Sequence, residues 1–244
     1  MDPNAQLIIS AFTTPPTDER AELINATVQR LKVGGVWPLL DVLYMFAAAD
    51  SQAALVNWRK PGTFNATLVN APTFAADRGF TGNGTTAYIE TGYNLLSSGQ
   101  YTETECHISA RNLNAAGTAD RFVGNAGGGS PIVFLNAAGG TTVAAQLNGA
   151  NVSSVAHGGN RAGFIVGVRR GTVSQRILWN GTFSGVGTVT SSAPPNQTLV
   201  ALRSSTQFNT YQIASLSAGG TLSDEQMTAL YAAELAYMQA VGAA

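Results

Sequence analysis

The stretch FIVGVRRGTVSQRILWNG, residues 164–181, decides how the fold of this chain is interpreted. It contains two runs rich in β-branched and large apolar residues, and Arg170-Gly171-Thr172 lies between them. Two such runs separated by a short turn that contains Gly are typical of a β-hairpin. The stretch therefore predicts two antiparallel strands that turn near Gly171.

Similar short runs occur on both sides of this hairpin, and clusters of Gly, Asn and Ser separate them. They are TAYIETG (86–92), YTETECHISARN (101–112), RFVGNA (121–126), PIVFLNA (131–137), TTVAAQLNG (141–149), QTLVALRS (197–204) and TYQIASLS (210–217). Many short strands without intervening helices indicate an antiparallel β-sandwich or jelly roll. We therefore expect a mainly β protein.

Helices are predicted at the two ends of the chain. TDERAELINATVQRLK (17–32) begins at a plausible N-cap, Thr17, and its acidic and basic residues lie at the ends that the helix dipole favours. Near the C-terminus, Ser223 and Gln226 have the spacing of a capping box at the start of a second amphipathic helix.

VGGVWPLLDVLYMFAAAD, residues 33–50, is the most apolar part of the chain. Pro38 and Asp41 interrupt it, and it is shorter than the roughly 20 apolar residues that span a bilayer, so no membrane insertion is expected. Its apolar spacing predicts a third helix that is buried on several sides. We expect this helix to pack between the N-terminal helix, the sandwich and a neighbouring copy, with a candidate subunit interface at Trp37, Leu39, Leu43 and Phe46.

The predicted elements divide the chain into three parts. Residues 1–50 form an N-terminal helical lead-in, 51–220 the β-sandwich, and 221–244 a C-terminal helix packed on the sandwich or on the N-terminal helices. We expect no long linker and no internal repeat.

Charge is sparse and unevenly distributed. Charged residues make up 11% of the 244 residues and the net charge is −1, which argues against nucleic acid as a partner. No Asp or Glu lies between Asp120 and Asp224, whereas six Arg do. We expect the turn arginines Arg169 and Arg170, with Arg176, to be exposed and to bind an acidic patch on a neighbouring protein or an anionic host glycan.

The residues that could carry chemistry are few. Alternation in YTETECHISARN places Glu103, Glu105 and His107 on one strand face, as a weak candidate for the paired carboxylates of a glycan hydrolase. A helper carboxylate is missing from the acid-free segment 121–223, so we interpret this face as a solvated surface or a subunit contact and expect no catalytic residue.

No cofactor or metal ion is expected. The loop GNAGGGSP (124–131) lacks the Lys-Ser/Thr of a phosphate-binding loop. Two His and one Cys are too few for a zinc site, and the carboxylates are not clustered as calcium requires. Trp58, Tyr93, Trp179 and Tyr211 are possible ligand anchors, although aromatic residues of sandwiches are more often core.

Two parts of the sequence resemble known families. GNGTTAYIETG (82–92), residues 164–181 and residues 198–231 resemble laminin-G-like, concanavalin-A-like sandwich domains. Residues 15–94 resemble a recurrent module of bacteriophage and prophage virion proteins, in which a helical lead-in precedes such a sandwich.

The second resemblance implies a non-enzymatic structural protein of a virion, such as a head decoration, fibre or tail-associated component. Its partners would be capsid or tail proteins and copies of itself in a homo-oligomer. Synthesis in the bacterial cytoplasm is expected, because the N-terminus shows no signal peptide. The alternatives are a receptor- or carbohydrate-binding adhesin of a phage fibre, with a host surface glycan as ligand, and a glycan depolymerase.

Overall fold

The computed structural model describes residues 1–115, 121–127, 131–134, 141–149 and 153–244, so residues 128–130 of the Gly-rich loop 124–131 lie outside it. The helices are α1 (Pro3–Ser10), α2 (Asp18–Val33), α3 (Ser51–Ala54) and α4 (Asp224–Ala240), and a 3-10 helix spans Trp37–Leu39. The strands are β1 (Leu40–Met45), β2 (Thr67–Val69), β3 (Thr73–Ala75), β4 (Gly79–Thr81), β5 (Tyr88–Asn94), β6 (Glu105–Asn112), β7 (Arg121–Asn125), β8 (Ile132–Phe134), β9 (Thr142–Gln146), β10 (Ser153–Ala156), β11 (Gly163–Arg170), β12 (Ser174–Trp179), β13 (Thr182–Phe183), β14 (Gly187–Thr188), β15 (Thr198–Ala201), β16 (Arg203–Ser204), β17 (Gln207–Phe208) and β18 (Gln212–Gly219).

The strands form two antiparallel sheets. Sheet A has the order β13-β12-β11-β6-β18-β4-β3, with β1 also paired to β18 and β14 to β12. Sheet B has the order β10-β9-β8-β7-β15-β5-β2, and β16 and β17 form a separate hairpin. The predicted turn at Gly171 joins β11 to β12, and Arg170 lies opposite Ser174 in their register. A mainly β protein built as an antiparallel sandwich, with helices near the two ends of the chain, is therefore confirmed.

Two apolar cores hold three layers together. One core lies between the sheets and contains Phe122, Ile165 and Leu199. The other lies between the outer face of sheet A and helices α1, α2 and α4, and contains Ile8, Val28 and Met238. Sheet A is thus buried on both faces, as in sheets that are covered by helices.

The apolar segment 33–50 is not the helix that its pattern predicts. It forms the short 3-10 helix and then β1, which pairs with β18 from Leu40 to Met45. Val42, Tyr44 and Phe46 belong to the core between the sheets, whereas Leu43 and Met45 belong to the core under the helices. A strand that is buried on both faces is an almost continuous apolar run, and such a run cannot be distinguished from a buried helix by periodicity.

The two terminal helices begin where the sequence predicts. The Thr17 side chain accepts a hydrogen bond from the Arg20 N–H at the start of α2. At the start of α4, the side chains of Ser223 and Gln226 each accept a hydrogen bond from the backbone N–H of the other residue, which is a complete capping box. Helix α1, capped by Asp2, was not predicted, because its eight residues are too few to show a clear period.

Candidate functional site

A cavity of about 230 Å³ lies where the N-terminal segment crosses the helical layer, and we call it the Trp58 pocket. It is lined by Phe12, Thr14, Pro15, Pro16, Thr17, Arg20, Ile24, Ala48, Ala49, Asp50, Ala53, Trp58 and Tyr237. The lining is mainly apolar, with a few polar groups from three parts of the chain. This composition is typical of pockets that bind small ligands.

Hydrogen bonds fix the rim of the pocket. Gln52 in α3 donates through Nε2 to the carbonyl of Ala11 (3.0 Å), and its Oε1 accepts from the N–H of Thr13 (2.8 Å). Asp50 caps α3 by accepting from the N–H of Ala53 (2.9 Å). The segment 11–17 is thus tied to α3, and the opening is formed in advance of any ligand.

The floor consists of two aromatic rings. Trp58 and Tyr237 pack edge to face, with ring centroids 5.6 Å apart and planes at 81°. Trp58 is 2% exposed, and its indole Nε1 has no hydrogen-bond partner among the described residues. A buried donor without a partner costs free energy, and such groups are often found where a ligand or water binds.

Arg20 crosses one wall of the pocket. Its Nη2 lies 2.6 Å from Oδ1 of Asp77, its Nη1 donates to the Tyr237 hydroxyl (3.2 Å), and that hydroxyl donates to the carbonyl of Ala47 (3.1 Å). Burial disfavours the guanidinium charge, but the Tyr237 hydroxyl and the Asp77 carboxylate raise the pKa of Arg20 above its usual value. Arg20 therefore stays charged and holds the rings in place.

A second opening lies on another side of Trp58, and we call it the Arg59 groove. Its volume is about 490 Å³, and it is lined by Asn4, Leu7, Ser10, Ala11, Trp58, Arg59, Lys60 and Pro61. The lining includes two cationic side chains and no carboxylate. Trp58 lines both the pocket and the groove, and the two openings together are the candidate site.

The loop that carries Arg59 is built around a fully buried amide. The Asn57 Oδ1 accepts from the N–H groups of Leu43 and Arg59 (3.1 Å each), and its Nδ2 donates to the carbonyl of Thr63 (2.9 Å). The guanidinium carbon of Arg59 lies 5.7 Å from the centroid of the Trp37 ring. Strand β1 and the 3-10 helix therefore position the loop that forms the groove.

Glu103, Glu105 and His107 each have a separate partner. Glu103 accepts from the hydroxyl of Ser191 (2.6 Å), and Glu105 is exposed and accepts from the N–H of Gly171 (3.0 Å). His107 is fully buried and donates through Nδ1 to the carbonyl of Gly220 (2.5 Å). The predicted alternation of β6 is confirmed, but from His107 onward its second face is buried under the helical layer, where Arg111 pairs with Glu234 of α4, and is not solvated.

Arg169, Arg170 and Arg176 are not the exposed docking turn that the sequence predicts. Arg169 is fully buried and donates to the carbonyls of Leu147, Thr172 and Val189, and burial lowers the pKa of its guanidinium. Arg170 and Arg176 both pair with Asp224 in the first turn of α4. Arg170 and Arg176 thus have an acidic partner in the same chain, at the point where its acid-free segment ends, whereas Arg169 has backbone carbonyls as partners.

The candidate subunit interface in segment 33–50 is buried within the chain. Trp37, Leu43 and Phe46 are at most 5% exposed, and Leu39 is half-buried against the core under the helices. Trp37, Leu43 and Phe46 are therefore core residues, since their apolar surface is covered by the chain itself, and Leu39 keeps part of its surface exposed.

Of the four aromatic residues considered as ligand anchors, Trp58 is the one that lines the pocket and the groove. Tyr93, Trp179 and Tyr211 lie in the core between the sheets. The sequence interpretation missed Arg20, Arg59 and Lys60. The run WRKPG (58–62) carried a signal, because it joins an aromatic ring and two cations to a turn.

In the described part of the chain, no three His, Cys, Asp or Glu side chains are grouped as metal ligands. None of the helices described is both long and apolar enough to cross a membrane. Cys106 is buried, and burial raises the pKa of its thiol to about 12, which leaves it unreactive at neutral pH.

Comparisons with known proteins identify the fold. No protein-family model matches the chain, and no curated protein sequence is significantly similar to it. Among solved structures, a receptor-binding domain has a TM-score of 0.57 at 12% identity and matches 82% of this chain and 52% of its own. Trypanosoma rangeli sialidase has a TM-score of 0.53 at 9% identity, over 90% of this chain and 40% of its own.

Domain 4 of AbnA, a GH43 extracellular arabinanase from Geobacillus stearothermophilus, is similar over almost its whole length. Its structure, solved in complex with arabinotriose, has a TM-score of 0.50 at 12% identity and matches 79% of this chain and 98% of its own. This chain spans about half or less of the first two proteins. The three likenesses establish the β-sandwich fold.

Proposed function

We propose that this chain is a non-enzymatic binding module that recognises a carbohydrate on a cell surface, with the ligand seated at the Trp58 pocket. The observation that carries the proposal is the pocket itself, with its fixed rim, its two aromatic rings and the unpartnered Trp58 N–H. Aromatic rings with a few oriented polar groups suit the apolar faces and hydroxyls of sugars.

The fold is consistent with this role. Sandwiches of this kind occur in a receptor-binding domain and in an arabinanase domain solved with arabinotriose, and both likenesses are at 12% identity. A likeness at that identity concerns the fold, so the argument for a ligand depends on the residues of the pocket.

The arrangement of the carboxylates supports a role without catalysis. Glycan hydrolysis commonly uses a pair of carboxylates that flank the bond to be broken. Glu103 and Glu105 are held by Ser191 and Gly171, and neither lines the Trp58 pocket. Asp50 does line the pocket, but it caps α3. Release of reducing ends from any oligosaccharide that the protein binds would favour a depolymerase instead.

The binding proposal is tested on an array of neutral and acidic oligosaccharides that includes arabinotriose and sialyllactose, followed by calorimetry on those that bind. Ala49→Trp fills the pocket from its exposed rim without entering a core. Ala232→Trp, on an exposed face of α4, is the matched control. We expect the first variant to weaken binding at least tenfold and the second to leave it unchanged.

Two results would overturn the proposal. One is that no oligosaccharide binds to the folded protein at millimolar concentration. The other is that binding is found but responds equally to Ala49→Trp and Ala232→Trp, which would place the ligand elsewhere.

We further propose that the module acts as part of a bacteriophage particle, as a decoration, fibre or tail-associated protein. This second proposal depends on the resemblance of residues 15–94 to virion proteins. Mass spectrometry of purified particles from the source phage or induced prophage tests it. A peptide signal at a defined copy number per particle is expected, and its absence from intact infectious particles would contradict the proposal.

A further inference from the structure

The Arg59 groove contains cationic side chains that form no ion pair with the described residues. Arg30, Arg59 and Lys60 make neither a hydrogen bond nor an ion pair through their side chains with the described residues. Arg30, a residue of α2, lies away from this groove and lines a different opening between α2 and α4. Arg59 and Lys60 are adjacent and line one groove that contains no carboxylate.

The position of Arg59 is fixed even though its charge is unpaired. Its backbone N–H is held by Asn57, and its guanidinium lies over the Trp37 ring at 5.7 Å. The Nε atom of Arg59 is buried and has no hydrogen-bond partner in the described structure. An oriented guanidinium loses little further entropy when it binds an anion, so this group is preorganised for one.

The other side chains of the groove complete a mixed surface. The side chains of Asn4 and Ser10 donate and accept no hydrogen bond within the described residues. Leu7 is 60% exposed, and Pro61 lies beside Lys60. The groove thus combines two cations, an amide, a hydroxyl and an exposed apolar patch within about 490 Å³.

We propose that the Arg59 groove binds a carboxylate-bearing sugar, with the carboxylate on Arg59 and Lys60. This inference depends on the proposed carbohydrate-binding function and names the class of sugar. A guanidinium matches the two oxygens of a carboxylate. Asn4 and Ser10 are placed to bind ring hydroxyls, and Leu7 to cover an apolar ring face.

The observations favour a sugar over an acidic peptide. Trp58 lines both the groove and the Trp58 pocket, so the groove adjoins the proposed carbohydrate site. In addition, the uncharged polar groups of the groove are side chains suited to hydroxyls, whereas no free sheet edge is present in its lining to pair with a peptide backbone.

The test compares two sugars that differ in one group, methyl β-glucuronide and methyl β-glucoside, by NMR titration of the full chain. We expect the glucuronide to bind at least tenfold more tightly at low salt, and this preference to shrink in 0.5 M NaCl because the ion pairs are partly exposed. Arg59→Ala should remove the preference, and Arg30→Ala, which deletes an equally unpaired cation elsewhere, should retain it.

The outcomes separate this inference from the proposed function. If neutral oligosaccharides bind but the glucuronide has no advantage, or if Arg30→Ala and Arg59→Ala act alike, the groove is not an acidic-sugar site although the module binds carbohydrate. The same titration with the peptide acetyl-Glu-Leu-Glu-amide provides a second arm. Binding of this peptide at the groove without binding of the glucuronide would assign it to an acidic protein and overturn the inference.

Discussion

At the scale of single residues, the most consequential polar contact is the ion pair between Arg111 and Glu234. Arg111 donates through Nε and Nη2 to the Glu234 carboxylate at 2.7–2.9 Å, and the Ser215 hydroxyl donates to the same carboxylate at 2.8 Å. Both side chains are at most 6% exposed. The pair connects β6 to α4 and so joins the sandwich to the helical layer.

Removing one partner of this pair should lower the free energy of unfolding far more than replacing both partners with apolar residues. Glu234→Ala leaves a buried guanidinium unpaired, and we expect the free energy of unfolding to fall by about 3–5 kcal/mol. The double variant Arg111→Met, Glu234→Leu should recover most of that loss. Urea unfolding measures both, and a loss below about 1 kcal/mol for Glu234→Ala would show that the pair is not buried in solution.

His107 makes stability depend on pH. Burial lowers the pKa of the folded-state imidazole to about 4, whereas the unfolded chain titrates near 6.5. Between these values the unfolded chain binds a proton that the folded chain does not, so the free energy of unfolding falls as pH decreases, by up to about 3 kcal/mol. Above about pH 8 the imidazole is almost entirely neutral in both states and contributes almost no pH dependence.

The contribution of His107 is isolated by comparison with His107→Asn, whose amide can still donate to the Gly220 carbonyl. The other titratable groups are common to the two proteins, so the difference between their unfolding free energies should change mainly between pH 6.5 and 4 and level off above about pH 8. Parallel pH profiles across the whole range would contradict the burial of a neutral His107.

Sequence reasoning gave the faces of β6 correctly but not their surroundings. Alternation separates Cys106 and Ile108 from His107 and Arg111, and the structure places the two sets on opposite faces. Because the second set is polar, the sequence predicts that this face is exposed to solvent. Nothing near Arg111 in the sequence shows that it will pair with Glu234, which lies 123 residues further along the chain. Pairing between distant residues compensates buried charge and leaves no local pattern.

At the scale of elements, capping signals were the most predictive and apolar runs the least. Thr17 and Ser223 mark the starts of α2 and α4, since a cap is a contact within four residues. The apolar residues of segment 33–50 predict a helix, because on a helical turn they would cover nearly every side of it. Its true partner, β18, lies more than 160 residues further on, so the register of β1 could not be predicted.

The capping box of α4 gives a prediction at this scale. Ser223→Ala removes the hydrogen bond to the Gln226 N–H, and we expect the free energy of unfolding to fall by about 1 kcal/mol. Thr228→Ala, an exposed change later in the same helix, should be neutral or slightly stabilising because Ala has the higher helix propensity. Equal losses for the two variants in urea unfolding would rule out a specific role for the cap.

At the scale of the whole molecule, a three-layer arrangement produces the site. The sandwich alone offers no Trp58 pocket, because the walls come from the segment before α2, from α2 itself, from the residues after β1 and from α4. The sequence predicted the sandwich and the terminal helices, and it placed Trp58 among several possible anchors. It could not predict the pocket, which exists only where four separate segments meet.

The central claim, that a carbohydrate binds at the Trp58 pocket, is tested most directly by the indole N–H signals of the three Trp residues. The Trp58 signal is assigned with Trp58→Phe, and Trp179, in the core between the sheets, is the internal reference. On titration with an oligosaccharide selected from the array, we expect the Trp58 signal to shift in a saturable manner while the Trp179 signal stays in place. Saturable binding that leaves the Trp58 signal unmoved would contradict it.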